Sequence, residues 1–209
     1  FGGRSFDVAF PSAAPAALYT PCDGDVKILL EHLRTRPEIL SCVLLAAFGS
    51  MRRGEICALL PSDFSGNRVR VSKSMVCDKD GFWVIKPMAK TDESNRTVVL
   101  PDFVMDSIAM PDHGRVIPMH PEQVTNRFRR AVLSSGVETR FRFHDLRHYN
   151  ASIMLALNVT DKYAMERMGY STPATLKKVY QHTMDGKRAE VNGAINSHMD
   201  KLFSGDEAI

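Results

Sequence analysis

The stretch FHDLRHYNASIML, residues 143–155, carries the most informative local pattern in this sequence. It predicts the start of a helix, in which His144 and Arg147, three positions apart, share one face. A base beside a fixed cation on one face suits an anionic substrate. Two other interpretations stay open: an ordinary surface helix near a carboxylate, and a zinc site at His144 and His148, which have i, i+4 spacing. Zinc is disfavoured, because Asp145 stands where the metalloprotease pattern requires Glu and because Arg147 would place a positive charge beside the ion.

A second stretch, GSMRRGEICAL at residues 49–59, places Arg52 at the start of a short helix. A helix N-terminus offers free N–H groups and the positive end of the helix dipole. An arginine added at that point would make an oxyanion site. The alternative is that Arg52 only pairs with Glu55, three positions further along the same helix.

Two further side chains become candidates through their positions. Lys90 falls in a predicted hairpin between two strands, and taken singly it is an exposed turn lysine. Tyr180 lies near a helix end and follows Lys177 and Lys178. Nearby cations would lower the pKa of its phenol and favour the phenolate as a nucleophile. The alternative for a lone tyrosine is packing.

The composition is that of an ordinary globular domain: 209 residues, 24% charged and 44% hydrophobic. It excludes intrinsic disorder and collagen-like repeats, and no run approaches the roughly 18 apolar residues of a membrane helix. The four cysteines are scattered without a CxxC pair, which indicates reduced thiols in an intracellular protein. The net charge is only +3, but residues 115–147 carry seven Arg, no Lys and three acids. This excess indicates either a phosphate-facing surface or a solvated face.

The pattern along the chain predicts a mainly α fold with one small three-stranded antiparallel sheet (α+β). Residues 1–19 lack periodicity and indicate a linker. The first helix is expected to follow an N-cap at Thr20, with Pro21 at its first position and Asp23 completing the cap. Further helices are predicted near residues 37–49, 51–59, 101–110, 121–135, 144–157, 161–168, 173–182 and 187–203. The sheet is predicted from strands at 69–72, 82–85 and 97–100.

The order of these patterns resembles the tyrosine recombinase (phage integrase) family. The resemblance rests on three blocks in register: MRRGEICAL at 51–59, FHDLRHYNASIML at 143–155 and MGYSTPATLKKVYQHT at 168–183. It extends from Thr20 to His182 and implies the fold of that family's catalytic domain, here residues 20–186. The linker at 1–19 would then come from an N-terminal core-binding domain, and because the chain begins at Phe1 we expect it to be part of a longer protein.

The resemblance also implies a role for each matching residue. Tyr180 matches the nucleophile that forms a 3′-phosphotyrosyl link with DNA. Arg52 and Arg147 match the two arginines that hold the non-bridging phosphate oxygens. Lys90 matches the general acid that protonates the leaving 5′ oxygen, and His144 matches the residue that accepts the tyrosine proton.

Two more positions complete the implied site. Glu55 matches the acid that orients parts of the site. Tyr170 stands where the family usually has His and sometimes Trp, and its phenol could still donate a hydrogen bond to the phosphate. The resemblance implies neither a metal nor a nucleotide cofactor, because the phosphotyrosine conserves the bond energy.

The implied partner is double-stranded DNA. In the family, the helix equivalent to 121–135 enters the major groove, and here its outward residues are Asn126, Arg127 and Arg130. We expect a homotetramer on DNA, a possible monomer for the isolated domain, and docking of the 187–209 tail onto a neighbouring protomer. The expected setting is the cytoplasm of a bacterial host, without membrane attachment, in the service of a phage or mobile element. A type IB topoisomerase and a non-catalytic DNA-binding module are the alternatives.

Overall fold

A computed structural model describes residues 19–88, 95–138, 141–174, 176–180, 192–193, 196–197 and 199. This part of the chain is mostly helical with small antiparallel sheets, which confirms the predicted fold class. Within the described ranges, no helix is both long enough and apolar enough to cross a membrane.

The N-terminal helices form the centre of the molecule. They are α1 (Asp23–His32), α2 (Pro37–Gly49) and the one-turn α3 (Arg53–Ile56). Helix α2 includes Pro37 and Gly49, which were expected to mark its two ends, and it is buried along most of its length within the main apolar core. It ends at Ser50, whose backbone is left-handed with φ of 51°. This reversal turns the chain directly into α3.

The N-cap of α1 is Cys22 and not Thr20 as predicted. The Asp25 carboxylate accepts hydrogen bonds from the Cys22 backbone N–H (3.3 Å) and from the Tyr19 hydroxyl (2.9 Å). In return the Cys22 Sγ accepts from the Asp25 N–H at 3.4 Å. The cap is set by this reciprocal pair, because Asp25 and not Asp23 stands three residues after the cap.

The strands form two sheets where one was predicted. They are β1 (Phe64–Ser65), β2 (Arg68–Val71), β3 (Lys73–Cys77), β4 (Trp83–Pro87) and β5 (Arg96–Val99). One sheet has the order β1-β2-β5, and the other is the β3–β4 hairpin.

The predicted pairing of segment 82–85 within a three-strand sheet is therefore wrong. β4 pairs with β3, and β2 pairs directly with β5. The Asp78 carboxylate accepts from the backbone N–H groups of Asp80 and Phe82 at 3.0 and 2.8 Å, which closes a tight local turn. Such a turn pairs the two strands that it joins, here β3 and β4.

The hairpin lies close against α3 because residue 54 is glycine. A Cβ there would stand 2.5 Å from the Ser74 hydroxyl oxygen and 2.7 Å from the Met75 carbonyl oxygen, both on β3. A side chain at Gly54 would push the two elements apart. The absence of one brings β3 alongside the helix that Arg52 begins.

The C-terminal half adds α4 (Asp102–Ser107), α5 (Pro121–Ser134), α6 (Asp145–Ala156) and α7 (Asp161–Met168). Residues 173–174 and 176–180 are helical as well, as are the described residues between 192 and 199. A second apolar cluster packs α6 and α7 against residues 176–180. Its buried members are Ala151, Met154, Ala164, Met168, Tyr170, Leu176, Val179 and Tyr180.

Candidate active site

Arg52 immediately precedes α3, and its backbone is extended. Three hydrogen bonds hold it in place. Its backbone N–H donates to Glu55 Oε2 at 2.7 Å, and its Nη1 donates to Glu55 Oε1 at 2.8 Å. Its Nη2 donates to the Gly169 carbonyl oxygen at 2.6 Å. The side chain nevertheless remains 38% exposed. The pairing with Glu55 therefore orients Arg52 and still leaves its guanidinium open to a ligand.

Glu55 is a buried carboxylate between two arginines. Arg96, on β5, donates from Nη1 to Oε1 at 3.1 Å and from Nη2 to Oε2 at 2.7 Å. Burial by itself would raise the pKa of Glu55, but the hydrogen bonds and charge of Arg96, with Arg52 and Arg147 nearby, lower it. Glu55 is therefore ionised at neutral pH.

Arg96 is a buried residue of this site that the sequence patterns did not single out. Along β5 the residues alternate between buried and exposed, so Arg96 and Val98 point into the protein. Period-two alternation was visible in the sequence and would have placed Arg96 on the same inward face as Val98. A buried arginine needs an anion or several carbonyl acceptors. The inward position of Arg96 therefore indicated a buried partner such as a carboxylate.

Arg147, on the first turn of α6, is almost completely buried. Its Nη1 donates to the Ser50 carbonyl oxygen, and its Nη2 donates to the Met168 carbonyl oxygen at 2.7 Å. Its Nε has no hydrogen-bond partner among the described residues. Burial lowers the pKa of Arg147 to about 10, so it stays cationic at neutral pH. The N–H of Nε is thus a buried donor that is still available.

The C-terminal end of α7 accepts hydrogen bonds from three arginines. Successive carbonyl oxygens of Arg167, Met168 and Gly169 accept from Arg96, Arg147 and Arg52, at 3.0, 2.7 and 2.6 Å. The last carbonyls of a helix lie at the negative end of its dipole. They offset the mutual repulsion of three guanidinium groups packed side by side.

Gly169 allows this approach. Its backbone is left-handed with φ of 63°, and a Cβ would lie 2.8 Å from Arg96 Nη1 and 3.3 Å from Arg52 Nη1. Tyr170 follows at once, and its ring centroid lies 5.4 Å from Arg147 Cζ and 6.0 Å from Arg52 Cζ. These are cation–π distances. The buried Tyr170 hydroxyl has no hydrogen-bond partner among the described residues.

His144 immediately precedes α6 and is partly exposed, in a cleft that Arg52 and Arg147 also line. Partial burial of the ring, together with the charge of Arg147 and the neighbouring His148, lowers the pKa of His144 to about 4. It is therefore neutral at pH 7 and can accept a proton. The His144 and His148 rings lie 5.2 Å apart and nearly perpendicular. Among the described residues, no group of three or more His, Cys, Asp or Glu side chains is placed to hold a metal ion.

A cleft of ≈ 680 Å³ brings three of the predicted residues together. Arg52, His144 and Arg147 all line it, although they come from two distant parts of the sequence. No Asp or Glu is among the described residues of the lining, so the cleft is electropositive. The other lining residues are Arg53, Gly54, Ser74, Met75, Val76, Cys77, Trp83, Pro121, Thr125, Arg142 and Phe143.

Tyr180 lies in the second apolar cluster and not in the lining of the cleft. The residue is 8% exposed, and its hydroxyl has no hydrogen-bond partner among the described residues. Burial and the charge of Asp161 raise the pKa of Tyr180. The prediction that the neighbouring lysines lower this pKa is therefore wrong, because Lys177 and Lys178 are exposed and their charges are hydrated.

The predicted α5 residues do not line the cleft. Lys90 lies outside the described residues. Asn126, Arg127 and Arg130 are exposed on α5. Arg127 forms an ion pair with Glu38 on α2 at 2.6 Å, and with Arg130 it lines a separate pocket of ≈ 440 Å³. The flank of α5 that lines the cleft carries Pro121 and Thr125 instead.

Solved structures share this fold. The Tn1549 transposon integrase, in complex with transposon right end DNA, has a TM-score of 0.68 at 16% identity, covering 89% of this chain and 68% of that one. The XerA recombinase has a TM-score of 0.65 at 15% identity, covering 86% and 66%. The catalytic domain of bacteriophage HP1 integrase has a TM-score of 0.60 at 20% identity, covering 79% and 89%. At these identities the likeness shows the fold.

Sequence comparison identifies the family. An integrase of Saccharopolyspora erythraea is 27% identical to this chain, over 57% of this chain and 32% of the relative. The chain thus spans about a third of the length of that relative. The model of the phage integrase family matches residues 24–187, which contain every described element from α2 to α7 and the segment that ends at Tyr180. This chain belongs to the phage integrase family.

Proposed function

We propose that this chain is the catalytic domain of a site-specific DNA recombinase, which cuts and rejoins DNA through a 3′-phosphotyrosyl intermediate for a phage or an integrative mobile element. The observation that carries the proposal is the convergence of Arg52, Arg147 and His144 on one electropositive cleft. Two cations and a neutral base at one point suit a phosphodiester that acquires negative charge in the transition state.

The arginines bind the non-bridging oxygens of the scissile phosphate. Both are held by acceptors other than the phosphate, so they need little reorganisation when DNA arrives. Preorganised donors of this kind supply most of the electrostatic stabilisation in many enzymes. The Tyr170 ring lies beside both guanidinium groups, and we propose that its hydroxyl donates a further hydrogen bond to the phosphate.

The proposed reaction is a transesterification. The Tyr180 oxygen attacks phosphorus and gives its proton to His144, whose lowered pKa keeps it neutral and able to accept. The bond from phosphorus to the 5′ oxygen breaks, and that oxygen takes a proton from Lys90. Attack by a 5′ hydroxyl of another strand reverses these steps and releases Tyr180. The proposed reaction needs neither a metal nor a nucleotide, because the phosphotyrosine link conserves the energy of the broken phosphodiester bond.

For this step the Tyr180 phenol must leave the second apolar cluster and reach the cleft. Its phenol is buried in the second apolar cluster and has a raised pKa, which disfavours the phenolate before DNA binds. We infer that DNA binding moves the segment around Tyr180 toward the cleft. The same burial is what favours the second candidate, a DNA-binding module without catalysis.

The proposed partner is double-stranded DNA, with four protomers in the recombining complex and the 187–209 tail docking between them. The similar Tn1549 integrase was solved with transposon DNA, which supports the DNA partner. The exposed α5 residues Asn126, Arg127 and Arg130 are proposed to contact the duplex outside the cleft. We place the protein in the bacterial cytoplasm, where its DNA is found.

The test is covalent trapping on a nicked suicide duplex, in buffer containing EDTA. The unmodified chain should give a protein–DNA adduct, and Tyr180→Phe should abolish it while leaving DNA affinity nearly unchanged, since affinity comes mainly from phosphate contacts. Tyr170→Phe is the matched control and should slow the reaction without abolishing it. DNA binding without any adduct from the unmodified chain would support the non-catalytic module.

Two further outcomes separate the remaining alternatives. An adduct that survives Tyr180→Phe and disappears in Tyr170→Phe would make Tyr170 the nucleophile. A type IB topoisomerase would form the adduct and relax supercoils but would not exchange strands between two duplexes.

A further inference from the structure

Arg96 donates four side-chain hydrogen bonds close to the cleft, yet it does not line the cleft. Its side chain is only 2% exposed. Besides the two bonds to Glu55, its Nη2 donates to the Ser50 carbonyl oxygen at 3.3 Å and its Nε donates to the Arg167 carbonyl oxygen at 3.0 Å. Arg96 thus connects three segments: α3, the turn between α2 and α3, and the end of α7.

Two of the three groups that accept hydrogen bonds from Arg96 also accept from a cleft arginine. Glu55 also accepts from Arg52, and the Ser50 carbonyl oxygen also accepts from Arg147. The Arg167 carbonyl precedes the Met168 and Gly169 carbonyls, which hold Arg147 and Arg52. A displacement of Arg96 would therefore reach both cleft arginines through the acceptors that they share.

We propose that Arg96 is a positioning residue, which sets the geometry of Arg52 and Arg147 for binding the scissile phosphate without touching DNA itself. The inference rests on the proposed recombinase function. Arg52 depends on it most, because its guanidinium is partly exposed and is fixed only by Glu55 and the Gly169 carbonyl among the described residues.

The fork of an arginine is required here. Two parallel N–H groups match the two oxygens of Glu55, while Nε remains free for the α7 carbonyl. A lysine at this position would keep the charge but could not satisfy both carboxylate oxygens and two carbonyls. A neutral side chain would leave a buried carboxylate with one fewer cation, which is strongly unfavourable.

Gly169 gives independent support for this arrangement. A Cβ there would meet Arg96 Nη1 at 2.8 Å, so the end of α7 has room for Arg96 only because residue 169 lacks a side chain. The close approach links the segment that leads to Tyr170 and Tyr180 with the arginine that holds Glu55.

A positioning role predicts a change in pH dependence. The charged groups that face Glu55 are Arg96 from β5, Arg52 at the start of α3 and Arg147 from α6, and the Tyr170 phenol faces Arg147. Without Arg96, burial is less well compensated and the pKa of Glu55 rises. As the pH falls, Glu55 takes up a proton, and its hydrogen bonds from Arg52 weaken because the negative charge is lost. The cleavage rate should then show an acidic decline that the unmodified chain lacks.

The experiment measures single-turnover adduct formation on a nicked duplex between pH 5 and 8, with DNA affinity measured in parallel, for the unmodified chain, Arg96→Gln and Arg96→Lys. A displacement of about 1 Å in a reacting group can cost about 10²-fold in rate. We expect a loss of that order for Arg96→Gln at saturating DNA, with DNA affinity within about threefold. Arg96→Lys should recover part of the rate.

Two variants serve as controls. Arg167→Gln removes another arginine that donates to backbone carbonyls, those of Phe48 and Val99, but does not contact Glu55. Its rate should keep the pH dependence of the unmodified chain. The double variant Arg96→Gln/Glu55→Gln should lose the acidic decline, because no carboxylate is left to titrate.

The outcomes distinguish the two proposals. If the unmodified chain forms no adduct, the recombinase function is refuted and the inference falls with it. If it does form an adduct but Arg96→Gln keeps the same rate and pH profile, only the inference is wrong. An identical acidic decline in Arg167→Gln would also overturn it. If circular dichroism shows both Arg96 variants unfolded, Arg96 is a core residue and the positioning role is rejected.

Discussion

Replacing Gly169 by alanine should separate the two reasons for a glycine at the end of α7. The left-handed backbone costs an L-residue about 1–2 kcal/mol. In addition, the new Cβ would lie 2.8 Å from Arg96 Nη1, the atom that donates to Glu55 Oε1. Losing a hydrogen bond to a charged group costs about 1.5–3 kcal/mol. We therefore expect Gly169→Ala to lower the free energy of unfolding by about 2.5–5 kcal/mol in total.

Gly66→Ala is the matched control. Gly66 has a similar φ of 56°, and a Cβ there meets nothing within 4 Å. This variant should lose only the backbone part, about 1–2 kcal/mol. In a protein of this size each kcal/mol shifts the melting temperature by roughly 2–4 °C, so thermal unfolding followed by circular dichroism should resolve the two variants.

Activity gives the second measurement. Under conditions where both variants are folded, Gly169→Ala should slow adduct formation, because Arg96 and Arg52 are both displaced, whereas Gly66→Ala should react at the rate of the unmodified chain. Equal destabilisation of the two variants together with equal rates would refute the reasoning, since it would mean that the close approach to Arg96 is accommodated without cost.

Three further results are expected. Lys90→Ala should slow cleavage of a normal phosphodiester by about 10²–10⁴-fold, and a 5′-bridging phosphorothiolate should recover most of that rate, because a thiolate leaves without a proton; equal slowing on both substrates would give Lys90 another role. Because the pKa of His144 is lowered to about 4, the proton-accepting step should persist as the pH falls from 7 to 5 and fail near 4; a decline centred near 6.5 would contradict this. Deleting residues 187–209 should leave the domain folded by circular dichroism but impair recombination between two duplexes in the longer parent protein; unimpaired recombination would exclude docking, and an unfolded domain would make the tail part of the core.

The family match and the site geometry answer different questions. The family model matches residues 24–187 and places this chain among the integrases. The structure adds that Arg52, His144 and Arg147 line one cleft, while Tyr180 is buried apart from it. We propose that DNA binding changes the surroundings of Tyr180, the proposed nucleophile.

The sequence alone determined those features that depend on neighbours a few residues apart. The apolar period, Pro37 and Gly49 predicted a helix of nearly the extent of α2, which includes both of these residues. The three-residue spacing of Arg52 and Glu55 predicted their pairing, which is also present. Local geometry suffices for these, because caps and helix faces involve positions three or four apart.

The tertiary structure decided what depends on residues far apart in the chain. Arg96 meets Glu55 across 41 positions, and Arg147 meets Ser50 across 97. The raised pKa of Tyr180 and the Arg127–Glu38 ion pair likewise depend on which elements pack together. Burial and charge act through space, so the buried arginines and carbonyls of this site acquire their partners only when α2, α6, α7 and β5 are packed against one another.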